Sequence, residues 1–223
     1  DLSTYRLVHI AALRSALRQL QFLLACRERG ARCISVGTYA RVVEREAENV
    51  QSMLEQADLF FMNENEACAL FGSSENAYIR PGRCLFVTLG EKGVLVVQGG
   101  YVTQIRAPQV DELDPTGAGD TFCGATLAGL VRGDHPIIAA RKAVAVAAHM
   151  IEAIGPTALW REVRLGECND YRVVVNPIQI GRFAEVVRDL KEVKPFDFVG
   201  SGLPPVGHPG AQDFFFAATL QQF

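Results

Sequence analysis

Apolar residues recur at three- and four-residue spacing through Ile10, Leu13, Leu17, Leu20 and Leu24, which predicts an amphipathic helix from about Ala11 to Arg29. Gly30 supplies its stop. Cys33-Ile34-Ser35-Val36 then reads as a short strand, and Glu44 to Gln56 as a second, more polar helix. The run Asp58-Leu59-Phe60-Phe61-Met62 has the length and density of a buried strand, and a helix from Asn65 to Phe71 follows until Gly72. Cys84-Leu85-Phe86-Val87-Thr88-Leu89 repeats the buried-strand pattern. Gly90-Glu91-Lys92-Gly93 turns the chain into Val94-Leu95-Val96-Val97, and Gly99-Gly100 turns it into Tyr101-Val102-Thr103-Gln104-Ile105. Such a run suits a small antiparallel meander at a sheet edge. Helices over about Gly119 to Arg132 and Pro136 to Ala153 follow, the second rich in alanine and valine.

Strands alternating with helices, the strands apolar throughout, predict a three-layer α/β fold whose mostly parallel sheet is covered by helices on both faces. Ligands in such sheets sit beyond the carboxyl ends of the strands. Asn63, Thr88 and Gly117 each fall just past an expected strand end. After Gly155-Pro156 the character changes. Residues 160–170 are irregular and charged, Tyr171 to Val175 is strand-like, and Ile178 to Leu190 has helical spacing. Gly200 to Gly210 reads as a loop, and Asp213 to Phe223 as the first turns of a helix. A boundary near residue 160 is expected, with 1–160 as one unit and 161–223 as a linker and the start of a second.

Composition adds little that is specific. The 223 residues hold 22 lysines and arginines against 25 aspartates and glutamates, a balance that offers no electrostatic case for a nucleic-acid or membrane partner. Cys26, Cys33, Cys68, Cys84, Cys123 and Cys168 lie far apart without a C-x-x-C pair and read as free thiols, mostly buried. No apolar run reaches membrane-spanning length, so a cytoplasmic location is the default expectation. The chain opens at Asp1 without a methionine and reads as part of something longer. His9, His135, His149 and His208 lack metal-ligand spacing and read as structural or surface residues, and Trp160 as a packing residue.

Chemistry concentrates in Asp114-Pro115-Thr116-Gly117-Ala118-Gly119-Asp120. Small residues at a loop-to-helix junction let backbone N–H groups converge on an anion, and the helix dipole adds to the attraction. A carboxylate there would repel a resting phosphate, but it makes sense as a base that takes a proton from an attacking hydroxyl. The alternative is a tight turn with Asp120 as an ordinary N-terminal cap. The string resembles the D-[TP]-T-G-A-G-D motif of the ribokinase-like (PfkB) family of sugar and nucleoside kinases, with Thr126 where that family usually has an apolar residue. The resemblance implies a ribokinase-like fold and ATP-dependent transfer of the γ-phosphoryl group to a sugar or nucleoside hydroxyl. Asp120 would be the base, and Gly117, Ala118 and Gly119 would supply N–H groups.

Two further segments fit the same family. Asn63-Glu64-Asn65-Glu66 holds N-x-x-E at a strand-to-helix junction, where Asn63 and Glu66 could hold waters around Mg²⁺ or simply form a capping box. Thr88-Leu89-Gly90-Glu91-Lys92-Gly93 resembles the family's T-x-G-x-x-G segment, with a hairpin turn as the alternative and Lys92 as a solvated residue. The resemblance places Thr88, Gly90, Gly93, Asp114 and Thr116 around the nucleotide, and Ala143 and Val144 on the alanine-rich helix beside the base. Val144 falls where many members have Asn or His.

The family's early Gly-Gly motif, acceptor aspartate and β-strand lid find no counterpart in these residues, so the expected content is the ATP half of a kinase, inactive by itself. A homodimer is compatible with the family. Val173-Val174-Val175-Asn176 with Phe214-Phe215-Phe216 is similar to the beginning of the queuosine salvage family. A second class therefore stays open: a non-catalytic nucleotide-binding or regulatory kinase remnant fused to another enzyme, such as a nucleoside-salvage glycosidase.

Overall fold

Side chains on both faces of the first five strands are buried, so the sheet needs a helical layer on each side. The computed structural model describes residues 1–159 and the backbone of a strand at Phe214–Ala217. Seven strands form one sheet: β1 (Leu7–Ile10), β2 (Ile34–Gly37), β3 (Leu59–Asn63), β4 (Cys84–Thr88), β5 (Val94–Gln98), β6 (Tyr101–Ile105) and β7 (Phe214–Ala217). Their order is β6-β5-β4-β3-β2-β1-β7. Strands β7 and β1 to β4 run parallel, while β5 and β6 return antiparallel at one edge. The expected meander is therefore present.

Six helices complete the layers: α1 (Ala16–Glu28), α2 (Ala40–Arg45), α3 (Ala47–Gln56), α4 (Glu64–Phe71), α5 (Ala118–Val131) and α6 (Pro136–Met150). On one face Ile10, Val36, Phe60 and Leu85 pack with Leu23 of α1, Met53 of α3 and Ala67 of α4. On the other, Phe61, Phe86 and Val96 pack with Phe122 and Leu127 of α5 and Ala140 of α6. Each large side chain so buried contributes about 1.5–3 kcal/mol. Phe61 and Phe86 are stacked at 4.7 Å, and Phe122 stands edge-on to both. Two outer contacts set the direction of α5: Cys123 Sγ lies 3.9 Å from His9 Nε2, and Arg6 Nη1 donates to the Val131 carbonyl at 2.7 Å. Helix α5 thus runs antiparallel to β1 and brings its N-terminus to the carboxyl end of that strand.

Three sequence expectations change. Ile10 belongs to strand β1, and the helix begins at Ala16, capped by Ser15. The apolar stripe was misleading, since Leu17 and Leu24 are exposed while Ala16, Gln19, Leu23 and Cys26 face the core. Gln19, fully buried, donates to the carbonyls of Ala11 and Gly37 at 3.0 and 2.6 Å, tying together the ends of β1 and β2. Second, the polar helix splits at Glu46, whose carboxylate turns to accept from the Leu17 N–H at 2.9 Å. That bond satisfies an orphan donor in the first turn of α1. Third, Phe214–Ala217 is a strand, not a helix, and pairs with β1 from Leu7↔Phe214 to Ile10↔Ala217. A run of aromatic residues favours extended backbone, and without it β1 would be an unpaired edge. Expectations for residues 160–213, including Trp160, Cys168 and His208, lie outside the described residues.

His9 also yields a test. Its Nδ1 lies 3.0 Å from Ser35 Oγ, and burial lowers its pKa to about 4. In the unfolded chain histidine titrates near 6.5. Between those values the unfolded state binds more protons, so stability should fall as pH drops from about 6.5 to about 4, by about 3 kcal/mol in total. Urea unfolding of His9→Gln and wild type at pH 7, 5.5 and 4.5 measures this. The variant's acid loss should be shallower; parallel profiles would mean that His9 is charged in the fold.

Candidate active site

The loop before α5 is clasped before the helix begins. Asp114 accepts from the Thr116 N–H through Oδ1 at 3.0 Å and from the Gly155 N–H through Oδ2 at 3.2 Å. Hydrogen bonds from Thr116 and from Gly155 hold its pKa below the usual value. The Leu113 and Asp114 N–H groups donate to the Ile151 carbonyl at 2.8 and 3.1 Å. These bonds fasten residues 113–116 to the C-terminal end of α6. Gly117 does not follow a strand; residues 106–116 separate it from β6. Its φ of +84° is a left-handed conformation that glycine adopts without strain.

Gly117 is the N-cap of α5 and no side chain caps that end, so the reading of Asp120 as an N-cap does not hold. The Ala118 N–H already donates to the Pro115 carbonyl at 3.1 Å. Gly119 and Asp120 have N–H groups with no acceptor among the described residues, at the positive end of the helix dipole. Asp120 itself is exposed. Desolvation by the surrounding protein raises its pKa, and the water that reaches the carboxylate limits that rise. The direction suits a proton acceptor.

Asn63 ends β3 and pairs in register with Thr88, which ends β4. The capping box is present: Asn63 Oδ1 accepts from the Glu66 N–H at 2.9 Å, and Glu66 Oε2 accepts from the Asn63 N–H at 3.0 Å. Asn63 Nδ2 also donates to Glu66 Oε1 at 2.7 Å. Burial pushes the Glu66 carboxyl up to about 7, against the lowering effect of the Asn63 N–H. Each carboxylate oxygen keeps a second lone pair for water, so this all-oxygen acceptor set fits a hydrated Mg²⁺.

Thr88 Oγ1 lies 3.5 Å from the Met62 carbonyl, at the outer limit of a hydrogen bond. Gly90 has open space around it. Gly93 is needed for the turn itself: a Cβ there would sit 2.0 Å from the Ile105 carbonyl oxygen. Lys92 is exposed and pairs with Glu64 at 3.2 Å. Ala143 and Val144, expected beside the base, are both buried in the core against α5 and the sheet.

Sequence reasoning missed one group altogether. Arg14, Tyr39, Arg41 and Arg45 line a cleft of about 660 Å³ together with Asn63 and Glu66. Arg14 follows β1, and Tyr39 to Arg45 follow β2. The strand-end rule that picked out Asn63 and Thr88 applies equally to Tyr39, Arg41 and Arg45 past β2, and would have added Arg14 had β1 been recognised as a strand.

The model of the pfkB family carbohydrate kinase matches residues 2–162. A cytidine kinase from Thermococcus kodakarensis is 34% identical over 104 residues, which are 43% of this chain and 37% of that kinase. Aminoimidazole riboside kinase from Salmonella enterica, solved with aminoimidazole riboside and an ATP analogue, superposes with a TM-score of 0.56 at 23% identity. That superposition covers 70% of this chain and 61% of the other. A ribokinase-type protein from Escherichia coli, in complex with ATP and Mg²⁺, gives 0.54 at 20% identity, over 72% of this chain and 58% of that one. At such identities the superpositions bear on the fold. The match covers little more than a third of the cytidine kinase and about three fifths of the solved chains.

The capping box separates charge from geometry. Asn63→Ala removes the cap on α4 and should cost about 1 kcal/mol or more. Glu66→Gln keeps an acceptor for the Asn63 N–H and removes a buried carboxylate whose pKa lies near 7. Because the folded pKa exceeds the unfolded one, the wild type loses stability as pH rises from about 4.5 to about 7. Glu66→Gln should therefore match or exceed wild-type stability at pH 8 in metal-free buffer, measured by urea unfolding. A variant several kcal/mol weaker would show that the carboxylate charge itself supports the turn.

Proposed function

The chain belongs to the pfkB family of carbohydrate kinases, and on that premise we propose that it carries the phosphoryl-donor half of an ATP-dependent sugar or nucleoside kinase site. One observation carries the reading: an exposed acid on the first turn of α5, beside two unused N–H groups, at the carboxyl end of a parallel sheet. Asp120 takes the proton of the acceptor hydroxyl as that oxygen attacks phosphorus. The N–H groups of Gly119 and Asp120, with the backbone at Gly117 and Ala118, stabilise charge developing on the transferred group. Asp114 holds the loop in place through its bonds to Thr116 and Gly155. Thr88 and the open backbone at Gly90 receive the nucleotide. Mg²⁺, when bound, would be held through water by Asn63 and Glu66 and would neutralise phosphate charge. Positioning and electrostatics carry the rate, since little covalent chemistry is asked of the protein.

The family match ends at residue 162, which supports a division of the chain near residue 160. The matched share of the solved kinases, 58–61%, also favours a second reading, a nucleotide-binding regulatory unit without turnover. The intact Asp120 favours the enzyme.

Asp120→Asn, made in the full-length protein, should lower kcat by about 10² or more and leave ATP binding by calorimetry nearly unchanged. Near-normal turnover on an identified acceptor would end the assignment. The 223 residues alone should bind an ATP analogue with Mg²⁺ weakly and show no turnover over a panel of sugars and nucleosides. Robust phosphorylation by them would mean that the acceptor site has been misplaced. Absence of nucleotide binding in a folded chain would favour a structural remnant.

A further inference from the structure

The cleft at the carboxyl ends of β1, β2 and β3 is lined by three cationic side chains. Arg14, Arg41 and Arg45 all reach its lining. Arg41 and Arg45 stand four residues apart on α2, the spacing that puts two side chains on one helical face. Among the described residues none of the three forms an ion pair. Two neighbouring carboxylates are committed elsewhere. Glu46 accepts from Leu17 and Ser15 at the start of α1, and Glu66 is buried and bonded to Asn63.

Three exposed guanidinium groups converging without a carboxylate partner suit a multiply charged oxyanion. Arginine binds phosphate through paired N–H donors in a fixed fork, which lysine cannot reproduce. A volume of about 660 Å³ admits several phosphate groups or a sugar phosphate. We propose that Arg14, Arg41 and Arg45 form a phosphate-binding subsite beside the Asn63–Glu66 pair. Its occupant is either the polyphosphate tail of the donor nucleotide or a phosphate ester already present on the acceptor. The inference rests on the donor-site reading only for the names of those two sources; the arginine cleft itself does not depend on it.

Calorimetry on the 223-residue chain with two probes, inorganic tripolyphosphate and ribose 5-phosphate, tests the subsite. At least one should bind, and Arg14→Gln, Arg41→Gln and Arg45→Gln should each weaken it by about tenfold, as loss of a charge-assisted hydrogen bond does. Arg41→Lys, which keeps the charge without the fork, should lose less than Arg41→Gln. Thermal melts confirm that the variants remain folded; where one does not, the remaining single variants and Arg41→Lys carry the test. Binding of tripolyphosphate that an ATP analogue displaces identifies the nucleotide tail. Binding of ribose 5-phosphate that the analogue does not displace identifies a phosphorylated acceptor. Failure of both probes to bind, or folded variants that bind as wild type, overturns the proposal. If an ATP analogue binds wild type and all variants equally, the subsite is wrong while the donor-site reading stands. If the analogue does not bind but the arginine variants lose phosphate, the subsite stands and the donor-site reading fails.

Discussion

Phe122 stands edge-on against the stacked rings of Phe61 and Phe86, its centroid 6.1 and 6.2 Å from theirs, and the placement of α5 follows from that packing. Phe122 lies two residues after Asp120, so the same turn that presents the acid to solvent drives an aromatic ring into the sheet. Truncating a ring packed in this way costs about 3–5 kcal/mol. Rotation of α5 about its axis would move the acid and the ring together, so the energy of the core holds the acid in register. Cys123 against His9 and Arg6 against the Val131 carbonyl fix the helix at two further points along β1. The loop ahead of it has its own clasp, through Asp114 and the Ile151 carbonyl. The rigidity of the α5 N-terminus therefore comes from ordinary packing and backbone hydrogen bonds.

Charge at the strand ends is arranged in layers. N–H groups at the start of α5 offer partial positive charge, the arginines of the cleft offer full charge, and Glu66 sits beside them with its charge suppressed by burial. A fully ionised Glu66 would offset one arginine. Asn63 works against that suppression by donating to both oxygens of the carboxylate. One pair of residues thus caps α4 and, in the proposed reading, would also hold a hydrated cation. The structural and chemical readings of N-x-x-E do not compete, because the cap uses one lone pair on each oxygen and leaves the other.

Most of the fold was legible because buried strands and their turns carry strong local signals. The meander was read correctly because Gly90, Gly93, Gly99 and Gly100 punctuate it. Strand β1 was hidden by its own burial: all four residues are core, so no alternation sets it apart from the neighbouring leucines. The buried face of α1 was misjudged for a related reason. It contains the polar Gln19, which earns its place by bonding two strand-end carbonyls that no sequence pattern announces. At the candidate site the glycine turn into α5 and the capping box of N-x-x-E were legible, since backbone geometry restricts which residues can stand there. The burial of Ala143 and Val144 was not legible, because an alanine-rich helix shows little contrast between its faces. The arginine cleft was missed, because Arg14 follows an unrecognised strand and only the sheet order brings it beside Arg41, Arg45 and the Asn63–Glu66 pair.

The arginines, which form no ion pair among the described residues, also bear on what the strand ends are for. Placing Arg41 and Arg45 one turn apart on a helix as short as α2 costs a few tenths of a kcal/mol in repulsion. Neither side chain contributes to the core, whereas Val42 and Val43 between them are buried. Stability alone would favour a carboxylate at one of the two positions, giving an attractive pair in place of a repulsive one. The cost is small in water, where exposed charges are well screened. It becomes a large gain once an oxyanion brings several negative oxygens into the cleft and the surrounding protein thins the intervening solvent. The arrangement is therefore nearly neutral for folding and strongly biased toward an anionic occupant. The free N–H groups at the start of α5 have the same asymmetry: they contribute little to the stability of the empty site and gain most when negative charge develops beside them.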